Sequence, residues 1–230
     1  MKTKLLNVAL LITAGLLMAA CSSAPKNAKY SDVPDADKLQ SNTQFPHSLV
    51  YIKEGAKFAQ YSKFIIGPVE IYQGSGASWH KGKVTGQMKQ DLVQFAQTEF
   101  VRVLGPKYPI VNQPGPDVLR LRLMLTDVEL TTPTMAVVSH FSPIGMGVNL
   151  MKSGAGAQGS FIGSVTMAGE LRDSSSDTVL AAFLTKQTPL AVDLSKTVGN
   201  LSAARDGITA TAERFKAAMD RRHGVAAPGP

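Results

Sequence analysis

The apolar and polar positions divide the chain into short blocks, each with its own period. Residues 64–72 are apolar and β-branched, which predicts a strand. Residues 73–83 are rich in Gly and Ser and read as a loop. From Val84 the spacing becomes helical, with Met88, Leu92, Phe95, Ala96, Phe100 and Val103 on one stripe; Gly105-Pro106 stops it. Residues 109–112 are a short strand candidate, and Pro114-Gly115-Pro116 is a turn. Residues 118–130 give the clearest strand: Leu119, Leu121, Leu123 and Leu125 face one way, Arg120 and Arg122 the other. Val128 and Leu130 fall on the opposite parity, so a bulge near Thr126, or an early strand end, is expected.

Residues 131–159 interrupt the pattern. A structureless loop longer than about 15 residues is uncommon unless it functions or is disordered. This one is apolar, with Met135, Phe141, Ile144, Met146, Leu150 and Met151 among its side chains. It reads either as a flap over its own domain or as a partner-facing surface with adaptable methionines. Residues 160–172 alternate again, with Phe161, Val165, Met167 and Leu171 on one face. Residues 173–177 form a polar turn, and residues 179–186 return as the hairpin partner. Residues 201–223 are a second helix, striped by Leu201, Ala204, Ile208, Ala212, Phe215 and Met219. Arg221, Arg222 and His223 suit the negative end of its dipole, and Gly224 is placed to cap it. The expected class is α+β: one mixed, mostly antiparallel sheet with two helices packed on one face. Its first strand-helix-strand unit should cross over right-handed.

The N-terminus adds a compartment. Lys2 and Lys4 precede an uncharged run over residues 5–20, the layout of a secretory signal peptide and too short for a comfortable membrane span. Leu16-Leu17-Met18-Ala19-Ala20-Cys21 resembles the lipobox of bacterial lipoproteins. That resemblance implies cleavage before Cys21 and acylation of its thiol. One acyl chain alone binds a membrane only marginally, so several chains would make the anchor lasting. Ser22 after the cysteine implies export to the outer membrane, with the domain in the periplasm. The chain then divides into a signal peptide (1–20), a lipid-anchored flexible tether (21–46), a globular domain (47–224) and a disordered tail (225–230).

A second resemblance sits at the start of the domain. Tyr51-Ile52-Lys53-Glu54-Gly55 and Tyr61-Ser62-Lys63-Phe64-Ile65-Ile66-Gly67-Pro68-Val69, downstream of the lipobox, resemble an uncharacterised family of Gram-negative lipoproteins of unknown function. The family brings no catalytic residues to carry over. The order of elements is also similar to the small α/β domains of periplasmic accessory lipoproteins and to the N-terminal domain of the TolB protein. That is a likeness of fold and confers no function.

Charge and motifs narrow the functional classes. The formal net charge is +7. An exported lipoprotein does not routinely meet nucleic acid, so anionic headgroups or cell-wall polymers are the partners such a charge favours. Cys21 is the only cysteine, so no disulfide is available and the fold rests on burial. Gly154-Ala155-Gly156-Ala157-Gln158-Gly159 has dinucleotide-loop spacing, but a strand is predicted after it where a helix is required. Gly82-Lys83 fails as a phosphate loop, because Ala77 and Val84 stand where a glycine and a hydroxyl are needed. Trp79, His80, Lys81 and Lys83 nevertheless gather charge near a helix start and form a candidate anion site. His47, His80, His140 and His223 show no metal-ligand spacing. Asp127 and Glu129 share a strand face, where carboxylates are usually solvated. No metal, cofactor or catalytic constellation is expected. The leading expectation is a non-enzymatic module that binds an envelope protein or cell-wall component through residues 131–159. The alternative is a carrier or sensor for an anionic envelope molecule, and an enzyme of unknown type is third.

Overall fold

The computed structural model describes residues 33–45, 47–77, 79, 83–130, 163–188 and 201–223. In chain order these form β1 (Gln40–Ser41), β2 (Ser48–Ile52), β3 (Lys63–Ile66), β4 (Glu70–Ile71), α1 (Gly86–Leu104), β5 (Val118–Glu129), β6 (Ser164–Asp173), β7 (Val179–Gln187) and α2 (Ser202–Arg222). The strands make one seven-stranded sheet in the order β1-β2-β7-β6-β5-β3, with β4 also on β5. β3 and β4 run parallel to β5, and all other pairings are antiparallel. The fold is the expected α+β class with a mixed, mostly antiparallel sheet.

β5 shows how the sequence sets the sheet. Leu119, Leu121, Leu123 and Leu125 are all buried, on the face where Phe64, their neighbour on β3, meets Phe215 of α2 at 5.8 Å between ring centroids. The register against β6 shifts between Leu125 and Asp127, so a bulge at Thr126 brings Val128 into the same buried layer. Asp127 is correspondingly only 2% exposed, not solvated as its strand position implies. α1 begins at Thr85, whose hydroxyl accepts a hydrogen bond from the Met88 amide at 3.2 Å. Its stripe of Leu92, Ala96 and Phe100 is fully buried.

Two glycines allow close approach. A Cβ built on Gly207 of α2 would lie 2.5 Å from Val165 Cγ1 and 3.0 Å from Gln187 Cβ, so α2 seats on the sheet only because that atom is absent. A side chain at Gly169 on β6 would run into the Phe183 ring, which covers the glycine from β7.

Three expectations need correction. The strand over 64–72 is two strands, because Pro68 between them has no amide hydrogen to give the ladder. The candidate strand at 109–112 reduces to one bridge, Ile110 to Phe64. The tether does not run to residue 46. Val33, Ala36 and Leu39 are buried, Ala36–Lys38 form a 3-10 turn, and β1 adds to the sheet edge. This segment lies on the face away from the helices: Val33 and Pro34 share a small crevice with Arg122, Met124 and Glu170, and Lys38 stands 5.4 Å over the Tyr51 ring. Residues 1–20, the insertion over 131–159 and the tail from 225, with the expectations that rest on them, lie outside the described residues.

Candidate functional site

On the helix-bearing face, β2 and β7 extend past α2 and leave a cavity of about 270 Å³. Small residues make the room. Ala181 of β7 and Ala217 and Ala218 of α2 line it, where longer side chains would fill it. Val50 and Ile52 of β2, Phe183 of β7 and Phe215 and Met219 of α2 supply apolar walls. Phe45 and Phe58, from the segments before β2 and β3, complete them.

A polar strip crosses one wall. The Arg214 guanidinium donates to Gln187 Oε1. Gln187 Nε2 in turn donates to Thr185 Oγ1 at 2.7 Å, and Ser48 Oγ donates to the same oxygen at 2.8 Å. These groups sit side by side because Ser48 pairs with Thr185 across β2 and β7, and Thr185 and Gln187 share one face of β7. Arg214 keeps exposed surface as a residue, yet the protein packed round its guanidinium lowers its pKa. It therefore stands at the cavity mouth with its charged end partly stripped of water.

Two more arginines line the cavity a helical repeat further on. The Arg222 guanidinium lies 4.5 Å over the Phe58 ring and that of Arg221 5.8 Å over the Phe45 ring. Burial, and then the neighbouring Arg221, lower the pKa of Arg222. Among the described residues, none of the three has an ion pair with a carboxylate. Three other arginines do: Arg102 with Glu99 at 2.7 Å, Arg122 with Glu70 at 3.1 Å and Arg172 with Glu170 at 2.7 Å; Arg120 and Arg205, like the three at the cavity, show none among the described residues. The described residues that line the cavity include no histidine and no carboxylate, so the lining itself supplies no base for its Ser and Thr hydroxyls. What the arrangement offers is excess positive charge beside a hydrocarbon slot.

Sequence reasoning missed this site. Its residues come from four separate stretches, and Arg221 and Arg222 read from sequence as helix-dipole partners. The available signal was Arg214, a long cation within three residues of the buried stripe of α2. Of the sequence-predicted anion cluster, Trp79 is 3% exposed and belongs to the core, with Lys89 Nζ 4.8 Å over its ring. Lys83 is exposed just before α1. His80 and Lys81 lie outside the described residues, as do Cys21 and the candidate surface of Met135, Phe141, Ile144, Met146, Leu150 and Met151. Among the described residues no three His, Cys, Asp or Glu side chains converge on one point. No described helix is long and apolar enough to cross a membrane.

Comparison with solved structures finds weak likenesses. The PelC dodecamer of Paraburkholderia phytofirmans is 12% identical with a TM-score of 0.37, covering 78% of this chain and 99% of that one. A DUF4136 family protein of Bacteroides thetaiotaomicron is 9% identical with a TM-score of 0.36, covering 81% of this chain and 98% of that one. Among curated proteins, none matches the sequence. A family of proteins of unknown function, DUF3313, matches residues 29–215, a span that takes in every strand and most of α2; the chain belongs to that family.

Proposed function

We propose that this chain is a lipid-anchored, non-enzymatic binding protein of the bacterial envelope, and that its domain holds a small anionic ligand in the cavity between β2, β7 and α2. The observation that carries the reading is the set of three arginines, Arg214, Arg221 and Arg222, lining an apolar slot without carboxylate partners among the described residues. Arg214 and Arg222 are partly desolvated, and such cations, with no counter-charge among the described residues, favour an anion from outside the chain. The lack of a nucleophile–base pair in the lining supports holding over chemistry. The lipobox at Cys21 supports the anchor, and Ser22 supports the outer membrane with the domain in the periplasm.

A thermal-shift panel tests the binding. Anionic envelope molecules should stabilise the full chain, by about 2.7 kcal/mol at a hundredfold excess over Kd, and neutral analogues should not. Equal response to charged and neutral members contradicts the reading. Mass spectrometry tests the anchor: an acylated Cys21 at the mature N-terminus is expected, and an unmodified Cys21 still preceded by residues 1–20 contradicts it. A second reading, docking of an envelope protein on residues 131–159, is supported by the apolar side chains there. Deletion of that segment should then remove the crosslinked partner in cells while leaving ligand stabilisation intact.

A further inference from the structure

We propose that the ligand of this cavity is a single-chain amphiphile, with a carboxylate or phosphate-monoester head at Arg214 and one acyl chain lying along the slot. The inference rests on the anion-binding reading above and adds a tail to it.

The head is assigned to Arg214 because its guanidinium joins the Gln187–Thr185–Ser48 polar strip, whereas Arg221 and Arg222 are held against aromatic rings at the other end of the slot. Arg221 and Arg222 have guanidinium faces occupied by Phe45 and Phe58. Among the described residues Arg214 is hydrogen-bonded to the neutral Gln187 alone. A guanidinium has five N–H donors, so most of those on Arg214 remain for a ligand oxygen. The Thr185 and Ser48 hydroxyls, joined to it through Gln187, extend the same polar strip. Arg221 and Arg222 sit seven and eight residues along α2, about 11 Å further on. They flank the far part of the slot and reinforce its positive field.

The tail is assigned by the walls between these ends. Val50, Ile52, Phe183, Phe215 and Met219 present hydrocarbon. A bare inorganic anion would leave that surface wet, and a neutral hydrocarbon would leave Arg214 without a counter-charge. A sugar would find few hydrogen-bond partners beyond the one strip. Size selects one chain: the cavity of about 270 Å³ falls below the roughly 300 Å³ at which pockets for drug-sized ligands begin, so a two-chain lipid does not fit. Each further methylene that enters should tighten binding about fourfold until the slot is full.

The test uses decanoate carrying a mid-chain diazirine, added to membranes that hold the full chain and then photolysed. Labelling should map to α2 and β7. Unlabelled decanoate or a monoacyl glycerophosphate should compete, decanol and inorganic phosphate weakly or not at all. Ala218→Leu should fill the slot and abolish the label. Arg214→Gln, a change at the exposed mouth that the fold tolerates, should weaken labelling about tenfold. Inorganic phosphate competing as well as decanoate overturns the acyl tail and leaves the anion reading standing. Decanol competing as well as decanoate overturns both. Labelling indifferent to Ala218→Leu and Arg214→Gln places the probe elsewhere and overturns the proposal.

Discussion

The cluster round Glu170, on the sheet face away from the helices, and the cavity on the helix face treat arginine in opposite ways. On the face away from the helices, Glu170 is 3% exposed and holds Arg172 at 2.7 Å, with Arg122 at 3.7 Å; Arg122 also reaches Glu70, and Arg172 reaches Asp177. Cross-strand pairing puts these groups together, because Arg122 sits opposite Glu170 between β5 and β6. At the cavity, Arg214, Arg221 and Arg222 touch an amide and two aromatic rings and, among the described residues, no carboxylate. Satisfied charge closes a surface and holds the strands in register. Unsatisfied charge beside a cavity leaves work for a ligand. The first arrangement serves the fold, the second the function we propose.

The largest break in this contrast should come from Glu170→Ala. It removes the buried carboxylate shared by Arg172 and Arg122, at a cost of about 3 kcal/mol, moderated because Arg172 keeps Asp177 and Arg122 keeps Glu70. For a domain of this size that is roughly 6–12 °C in Tm, readable by circular dichroism. Gly207→Ala comes next. The added methyl meets Val165 and Gln187, lifts α2 from the sheet and should cost about 1–3 kcal/mol in urea unfolding.

A smaller, pH-dependent effect belongs to Asp220 near the end of α2. Burial alone would raise its pKa, but hydrogen bonds from Lys107, Lys216 and Tyr108 outweigh it and hold the carboxyl well below the usual range. A folded pKa below the unfolded one gives stability that is complete above about pH 3.9 and is lost as pH falls through the folded value. Asp220→Asn should therefore cost about 1–2 kcal/mol near neutrality, and the gap to the unaltered chain should shrink on acidification below about pH 4. Unfolding curves across that window check the sign. The result sharpens the contrast, since it shows a carboxylate-locked anchor on the same helix as the unlocked arginines.

Arg214→Gln should change stability least, by no more than about 0.5 kcal/mol, since the residue is exposed and breaks no ion pair. A loss as large as that from Glu170→Ala would dissolve the distinction between the cluster and the cavity.

Much of the fold was legible because period and burial coincide in β5, β6, β7, α1 and α2. The bulge was legible from the parity change at Val128. β2 was not, since Ser48–Ile52 is five residues long and apolar at every position after Ser48, so it shows no alternation. The buried strap of Val33, Ala36 and Leu39 was hidden by its polar neighbours and the Pro at 34, which read as tether. The cavity was illegible for a topological reason. Pairing of β2 with β7 brings Ser48 to Thr185 across 137 positions of sequence, and no local pattern records that meeting.

The most direct test of the central claim is a thermal-shift titration of the full chain with octanoate, in parallel with Arg214→Gln. A concentration-dependent rise in Tm for the unaltered chain, reduced about tenfold in apparent affinity in the variant, is the predicted result. Identical curves for the two proteins, or no rise in either, would contradict it.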